Sequence, residues 1–187
     1  RGQATLLARA PMTLDLQLQG TLQAPVGQQR SITLDAAGSL RGALAGKDAL
    51  LSLSAQLQPA KGGAAEPMSA DVTAKISPWA AQPVLSAQAR FRALNLAVLW
   101  PDAPQTLLNG SAQVVPQGSG WQGQLDLANR LAGPWDKGRV PVDSAQARLQ
   151  FAAGRWTIQT LDATGAGGRV KAQGQLADAA TLGALSG

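Results

Sequence analysis

The chain of 187 residues contains no cysteine, no histidine and no tyrosine. Without cysteine there is no disulfide and no thiol nucleophile, and without histidine the commonest general base is missing as well as Cys/His zinc ligation. Glutamate is nearly absent, with Glu66 standing beside ten aspartates. Most hydrolase and metalloenzyme mechanisms are excluded by these absences, and the sequence is expected to be that of a non-enzyme with no cofactor and no metal. No run approaches the roughly 18 consecutive apolar residues of a membrane-spanning helix, and the opening RGQATLLARAPM does not read as a signal peptide. Charged residues make up 14%, below the roughly 25% of an average domain. The net charge of +5 is scattered, with no window of five or six like charges. Nucleic-acid binding, which needs a concentrated basic footprint, is not expected.

What the chain has in quantity is small apolar residues. There are 36 alanines and 21 glycines, against five tryptophans and two phenylalanines. Gln, Ser and Thr carry the polar positions. Large aromatic side chains normally dominate core energetics, so this composition predicts a thin, elongated core built from Leu, Val and Ala.

Alternation with a period of two runs along nearly the whole length, the pattern of strands with one dry face. Thr13–Gln23 places Leu14, Leu16, Leu18 and Leu22 between Asp15, Gln17, Gln19 and Thr21. Equivalent runs are Ser31–Ala45, with Ile32 and Leu34; Leu51–Gln58, with Leu51, Leu53 and Leu57; and Ser69–Ile76, with Val72 and Ile76. Val84–Ala93 carries Leu85 and Phe91, Leu108–Val115 carries Val114, and Trp121–Asn129 carries Leu125 and Leu127. Ser144–Ala152 carries Leu149 and Phe151, Arg155–Leu161 carries Trp156 and Ile158, and Arg169–Leu176 carries Val170.

Turn residues punctuate these runs at Pro25–Gly27, Gly46–Asp48, Lys61–Gly63, Pro116–Gly120, Gly133–Pro134 and Gly165–Gly168. Short strands joined this way predict an antiparallel meander rather than βαβ units. Leu94–Trp100 breaks the alternation before Pro101 and is expected to be a short helical insertion; Pro78–Ala81 is a second, smaller break. Residues 1–187 read as a single fragment of a longer β protein, with a weak subdivision in a loop near 59–68. The abrupt start and the trailing ADAATLGALSG suit a fragment. Glycines inside strands mark bulges or bends, so the expected architecture is all-β: an elongated, twisted antiparallel sheet curled into an open, taco-like groove.

Isolated motifs carry little chemistry. Gly118–Gly123 spells GxGxxG, but it opens a strand where a dinucleotide site needs it to open a helix. No phosphate-binding GxxxxGK[ST] and no SxxK exists. Asn109-Gly110-Ser111 is formally a glycosylation acceptor, and its Asn-Gly step reads as a turn or bulge. Asp15 and Asp35 fall on the polar faces of successive strands, where a carboxylate pair could form, although alternating polar positions place Asp there in any case.

The dry face is the informative feature. About ten strands presenting three or four apolar residues each cannot stay in water as a single uncovered sheet. The face packs on a second sheet, meets lipid from outside a barrel, or lines a groove holding an apolar ligand. A membrane barrel needs aromatic girdles, which seven scattered aromatics do not supply. The groove suits small residues mixed with Leu and Val, and its expected lining is the set Leu14, Leu16, Leu18, Ile32, Leu34, Leu51, Leu53, Leu57, Val72, Ile76, Leu85, Phe91, Val114, Leu125, Leu127, Leu149, Phe151, Ile158 and Val170. The competing reading is a structural or adhesive β-repeat, a sandwich or solenoid with a filled core and no ligand. A third, compatible with the same fold, is an assembly platform that pairs a nascent strand at its sheet edge.

GWQGQLDLAN at 120–129, followed by GPWDKGRVPV at 133–142, resembles the TamB-like proteins, inner-membrane-anchored subunits of the bacterial translocation and assembly module. The resemblance extends through GRWTI at 154–158, ATGAGGRV at 163–170 and QGQL at 173–176. Upstream it touches FRALNL at 91–96 and LWPDAP at 99–104, and it covers the second half of the chain better than the first. It implies a periplasmic β-groove of the bridge-like lipid-transfer kind, related to AsmA-like proteins, in a Gram-negative envelope. Phospholipid acyl chains are the implied cargo, with support of outer-membrane protein and autotransporter assembly as a companion role. An outer-membrane barrel is the implied partner, contacted outside this fragment. No catalytic residue follows from the resemblance.

Overall fold

The computed structural model describes residues 1–26, 30–60, 67–100 and 102–176. Alternating side chains with abundant Leu, Val, Thr and Gln favour extended backbone, and strands make up most of the described chain. The strands are β1 (Gly2–Leu6), β2 (Thr13–Val26), β3 (Arg30–Ala43), β4 (Leu50–Pro59), β5 (Ser69–Ile76) and β6 (Val84–Leu94). After a four-residue helix α1 (Leu96–Leu99) come β7 (Leu108–Gln117), β8 (Gly120–Asn129), β9 (Ser144–Ala152), β10 (Arg155–Gly165) and β11 (Gly168–Leu176). Every strand pairs antiparallel with its neighbour in sequence, so the order across the sheet is the order along the chain. β1 and β11 do not pair, and the sheet is not closed into a barrel.

The expected runs coincide with β2 to β11. β1 is an addition, because GQATL offers one large apolar residue and no alternation to read. β10 runs on to Gly165 because Gln159 is an inserted residue: Ile158 pairs with Leu149, and Thr160 with the next residue, Arg148. The insertion turns the pleat over, so Ile158 and Leu161 both belong to the apolar side. β6 carries two more insertions, at Leu85 opposite the Lys75–Ile76 step and between Phe91 and Leu94 opposite β7.

Tight hairpins account for several turns. Ala153-Gly154 joins β9 to β10 and Ala166-Gly167 joins β10 to β11, with positive φ at both central residues. This is the mirror-image turn whose twist matches a hairpin. Gly118, within the formal GxGxxG, has φ of 59° in the turn between β7 and β8. At Pro78–Ala81 the chain bends, and Trp79 Nε1 donates a hydrogen bond to the Leu44 carbonyl at 2.7 Å, tying that bend to the β3–β4 connection. Gly27, Lys61–Gly63, Pro101 and the ADAATLGALSG tail lie outside the described residues, as do residues 61–66 of the expected subdivision. β4 and β5, which flank that segment, pair with each other in the one sheet.

Two expectations are corrected. The Asn109-Gly110 step is not a turn: both residues lie inside β7, where Gly110 pairs with Phe91 and Leu127. Asn109 instead serves the insertion in the neighbouring strand, its Oδ1 accepting from the N–H of Ala93 at 3.0 Å, where φ is 51°. Asp15 and Asp35 do not approach each other. Asp15 is opposite Arg41 and Asp35 opposite Thr21, six residues apart along β2, or about 20 Å at the rise of a strand. Asp15 accepts a hydrogen bond from Arg41 Nε at 3.1 Å instead.

The two long connections, 95–107 and 130–143, are held to the sheet by short polar side chains. Asn95 Oδ1 accepts from Ala97 N and Thr106 N, and Thr106 Oγ1 donates to the Leu94 carbonyl while accepting from Leu96 N. Asn129 is buried, and its Oδ1 accepts from Leu107 N at 3.2 Å and Leu131 N at 3.1 Å. Replacing Asn129 with alanine strips two backbone donors of their partner at once. An uncompensated buried donor costs about 1–3 kcal/mol, so thermal unfolding of the Asn129→Ala variant is expected to fall by several degrees, with accelerated amide exchange at Leu107 and Leu131.

Candidate functional site: the apolar face of the sheet

Residues directly opposite each other in a ladder point to the same face, as do alternate residues along a strand. Applied from β1 to β11, these two rules place the predicted lining on one face. Eighteen of its nineteen residues occupy apolar-face rungs; at the β5/β6 step the rung opposite Ile76 is filled by Val84, and Leu85 is the inserted residue.

The register also shows an order that no single strand reveals. One rung row crosses the whole sheet without interruption: Gly2, Leu18, Gly38, Ala55, Val72, Ala89, Ala112, Leu125, Ala147, Leu161 and Ala172. Most of these side chains are a methyl group or less. The adjacent row toward the β1–β2 connection is bulkier near both ends, with Leu16, Leu40 and Leu53 on β2–β4 and Leu149 and Ile158 on β9–β10. Beyond it lie Leu14, Leu51, Ile76, Trp121, Phe151 and Trp156. The Phe151 and Trp156 rings are tilted against each other with centroids 5.0 Å apart, a favourable aromatic geometry. The central row is therefore bordered by larger side chains near both ends on that side, while the row on its other side mixes small residues such as Gly20, Ala36 and Gly110 with Leu57, Phe91 and Leu127. Ten inter-strand spacings of about 4.8 Å make this central lane about 48 Å long.

Nothing among the described residues covers this face. Their buried hydrophobic residues are Ala49, Leu51, Ala93 and Ala147, while Leu18, Leu22 and Val170 are 56%, 53% and 60% exposed. A filled core is thus not present within the described sheet. Several glycines of the face are under tight constraint, Gly42 and Gly110 among them: a Cβ on Gly110 would meet the Asp126 carbonyl oxygen and the Phe91 ring, the latter at 2.9 Å. Phe91 lies over the space that Gly110 leaves, an aromatic covering a glycine across a strand pair.

The opposite face is polar, and it bears several surface hollows. One, of about 670 Å³, reaches from Arg90 and Arg92 on β6 past Ser111 and Ser144 to Arg169 on β11. A second, of about 960 Å³, lies over β1–β4 against Gln17, Ser39 and Gln56, and a third, of about 400 Å³, over β3–β7 against Ser52, Thr73 and Gln88. Sequence reading assigned this face to solvent. Its residues come from six or more separate strands, and only the register brings them together. Arg169 Nε donates to Asp162 Oδ1 at 2.6 Å and Nη2 donates to Oδ2, a forked pair. That bond holds the Asp162 carboxyl below its ordinary range, with the charges of Arg169 and Lys171 acting in the same direction.

Among the described residues there is no group of three or more His, Cys, Asp or Glu side chains placed to hold a metal ion. No helix is long and apolar enough to cross a membrane. No protein-family model matches the chain, nor does any curated protein or solved structure.

Proposed function

We propose that this chain is part of a TamB-like, AsmA-related envelope protein whose sheet curls into an open groove and conducts phospholipid acyl chains through the periplasm between the inner and outer membranes. The observation that supports the reading is the apolar row that crosses all eleven strands, mostly of small side chains with Leu and Val among them, on a face that no second layer covers among the described residues. Inserted residues bend a strand and increase its twist, and the insertions in β6 and β10 supply such bends toward a taco-like form. The lane's length of about 48 Å is roughly three times the thickness of one leaflet's hydrocarbon, taking the bilayer core as about 30 Å. An acyl chain lying in it gains about 0.8 kcal/mol for each methylene removed from water. Because the wall repeats every strand spacing, a shift by one rung exchanges one apolar surface for a similar one, and the chain slides without meeting a deep trap. Support of outer-membrane protein and autotransporter assembly is the companion role in this reading, and the outer-membrane barrel partner is contacted outside residues 1–187.

Phospholipid extraction tests the proposal. The purified chain is expected to carry phospholipid, detected by mass spectrometry after organic extraction. A lipid-free, cooperatively unfolding monomer would instead favour the structural or adhesive β-repeat.

A further inference from the structure

The hollow at the β6 end of the polar face holds an arrangement that a solvated surface does not require. Arg90 and Arg92 are alternate residues of β6 on the same face, about 6.8 Å apart along the strand. Both are exposed and line the hollow, and neither side chain forms an ion pair or hydrogen bond within the described structure. The other arginine of the hollow, Arg169, is occupied by Asp162. Across the β6/β7 ladder Arg90 faces Ser111. Asn109, in the next position of the same face, is oriented by the strand insertion: its Oδ1 is taken by Ala93 N–H, which leaves the two protons of Nδ2 as the free end of a side chain that lines the hollow.

Two guanidinium groups and two neutral donors thus line the β6–β7 end of one hollow. A carboxylate, with two oxygens in a plane, cannot use that many donors, whereas a phosphate group has three or four oxygens directed to different sides and suits arginine forks. Asp126, the nearest carboxylate toward β8, is separated from Arg90 by the Ser111 strand and accepts a hydrogen bond from Gln124. Asp71 faces Arg90 from β5 and Asp126 faces Ser111 from β8, so two carboxylates balance the two arginines in number, but neither forms an ion pair with them.

We propose that Arg90, Arg92, Asn109 and Ser111 form a binding site for a phosphate group on the polar face, opposite the apolar lane. The phosphate is either that of a lipid headgroup or that of a soluble phosphate compound, and the chemistry of recognition is the same for both. The site does not depend on the lane carrying lipid, because it uses the other face of the sheet.

Amide NMR titration of the whole chain with sodium phosphate, against sodium acetate and sodium chloride at matched ionic strength, tests the site. Phosphate is expected to shift the Asn109 side-chain amide and the Ser111 backbone amide saturably, and acetate and chloride are not. The R90Q/R92Q variant is expected to weaken binding at least about tenfold, and Ser111→Ala several-fold. R9Q/K47Q, which removes the same charge from connections at the other end of the strands, is expected to leave binding unchanged. In a second arm, co-flotation with phosphatidic acid vesicles that is lost in R90Q/R92Q identifies the lipid headgroup as the source. Binding of phosphate without flotation identifies a soluble compound, and either result supports the site. Equal responses to phosphate, acetate and chloride, or equal losses in R90Q/R92Q and R9Q/K47Q, would overturn it.

Discussion

Valine in place of Gly110 is expected to damage the sheet severely. Gly110 lies in β7 between Phe91 of β6 and Leu127 of β8, and a Cβ there would run into the Asp126 carbonyl, the Phe91 ring and, at 3.0 Å, the Leu127 Cα. Two of these three obstacles are backbone, so relief requires β8 to move away from β7 and to give up ladder hydrogen bonds. Overpacking in a well-packed site costs about 1–3 kcal/mol, and forced separation of two strands places this variant at the upper end or beyond. That is a large share of the roughly 5–15 kcal/mol that holds an ordinary domain together. Urea unfolding should show a loss of about 3 kcal/mol or more, with exchange protection lost first in β6–β8. Gly20 and Gly174 are the internal controls. A Cβ at either position meets nothing within 4 Å, and valine suits a strand better than glycine does. Gly20→Val and Gly174→Val are therefore expected to be neutral or mildly stabilising; a loss as large as that at Gly110 would show that the cost is not steric.

The second large effect is expected at Leu125, which stands in the central lane between Ala112 and Ala147. Leu125→Arg places a guanidinium where its neighbours across both ladders are methyl groups, and no carboxylate of the apolar face is in place to meet it. The fold should persist, because the face is uncovered and the long side chain can turn toward water. Lipid occupancy should not persist, since an acyl chain would have to lie against a charge that has lost its hydration. The expected result is a fall of more than about tenfold, or roughly 1.4 kcal/mol, in phospholipid recovered per chain, with the unfolding midpoint little changed. Unchanged lipid recovery would sink the groove reading. Gln124→Arg, one residue away on the polar face, should leave recovery as it was.

Much of the fold was legible because one signal repeats. Alternation in runs such as TLDLQLQ and SADVTAKI marks both a strand and its apolar face, and a shift of register by one residue would move every Leu of a strand to the polar face. β1 was not legible, since Gly2–Leu6 has too few large residues to alternate. The insertions at Leu85 and Gln159 were hidden for a different reason: a bulge is a relation between two strands, and each strand alone still reads as extended chain. The same holds for the site. Its apolar residues could be named individually, but the lane through Gly38, Ala89 and Ala147 exists only when ten registers are placed side by side. The polar hollows were missed because Arg90, Ser111, Asp126 and Asp162 lie far apart in sequence with no charge cluster to draw attention. Asn95, Thr106 and Asn129 gave the weakest signal of all, a short polar side chain at the end of a strand, where such residues commonly bond to free backbone groups.

The strictly consecutive strand order has a consequence for folding and for change over time. Each strand has partners only before and after it in the chain, so the molecule behaves as a one-dimensional array in which stability is the sum of neighbouring hairpins. Ordering can begin at any tight turn, for instance Ala153-Gly154, and spread outward by short loop closures that cost little entropy. Duplicating or deleting one hairpin would leave every other pairing intact and keep apolar side chains on the same side, lengthening or shortening the sheet by two strand spacings, about 9.6 Å. An architecture of this kind can be fitted to a span by counting hairpins.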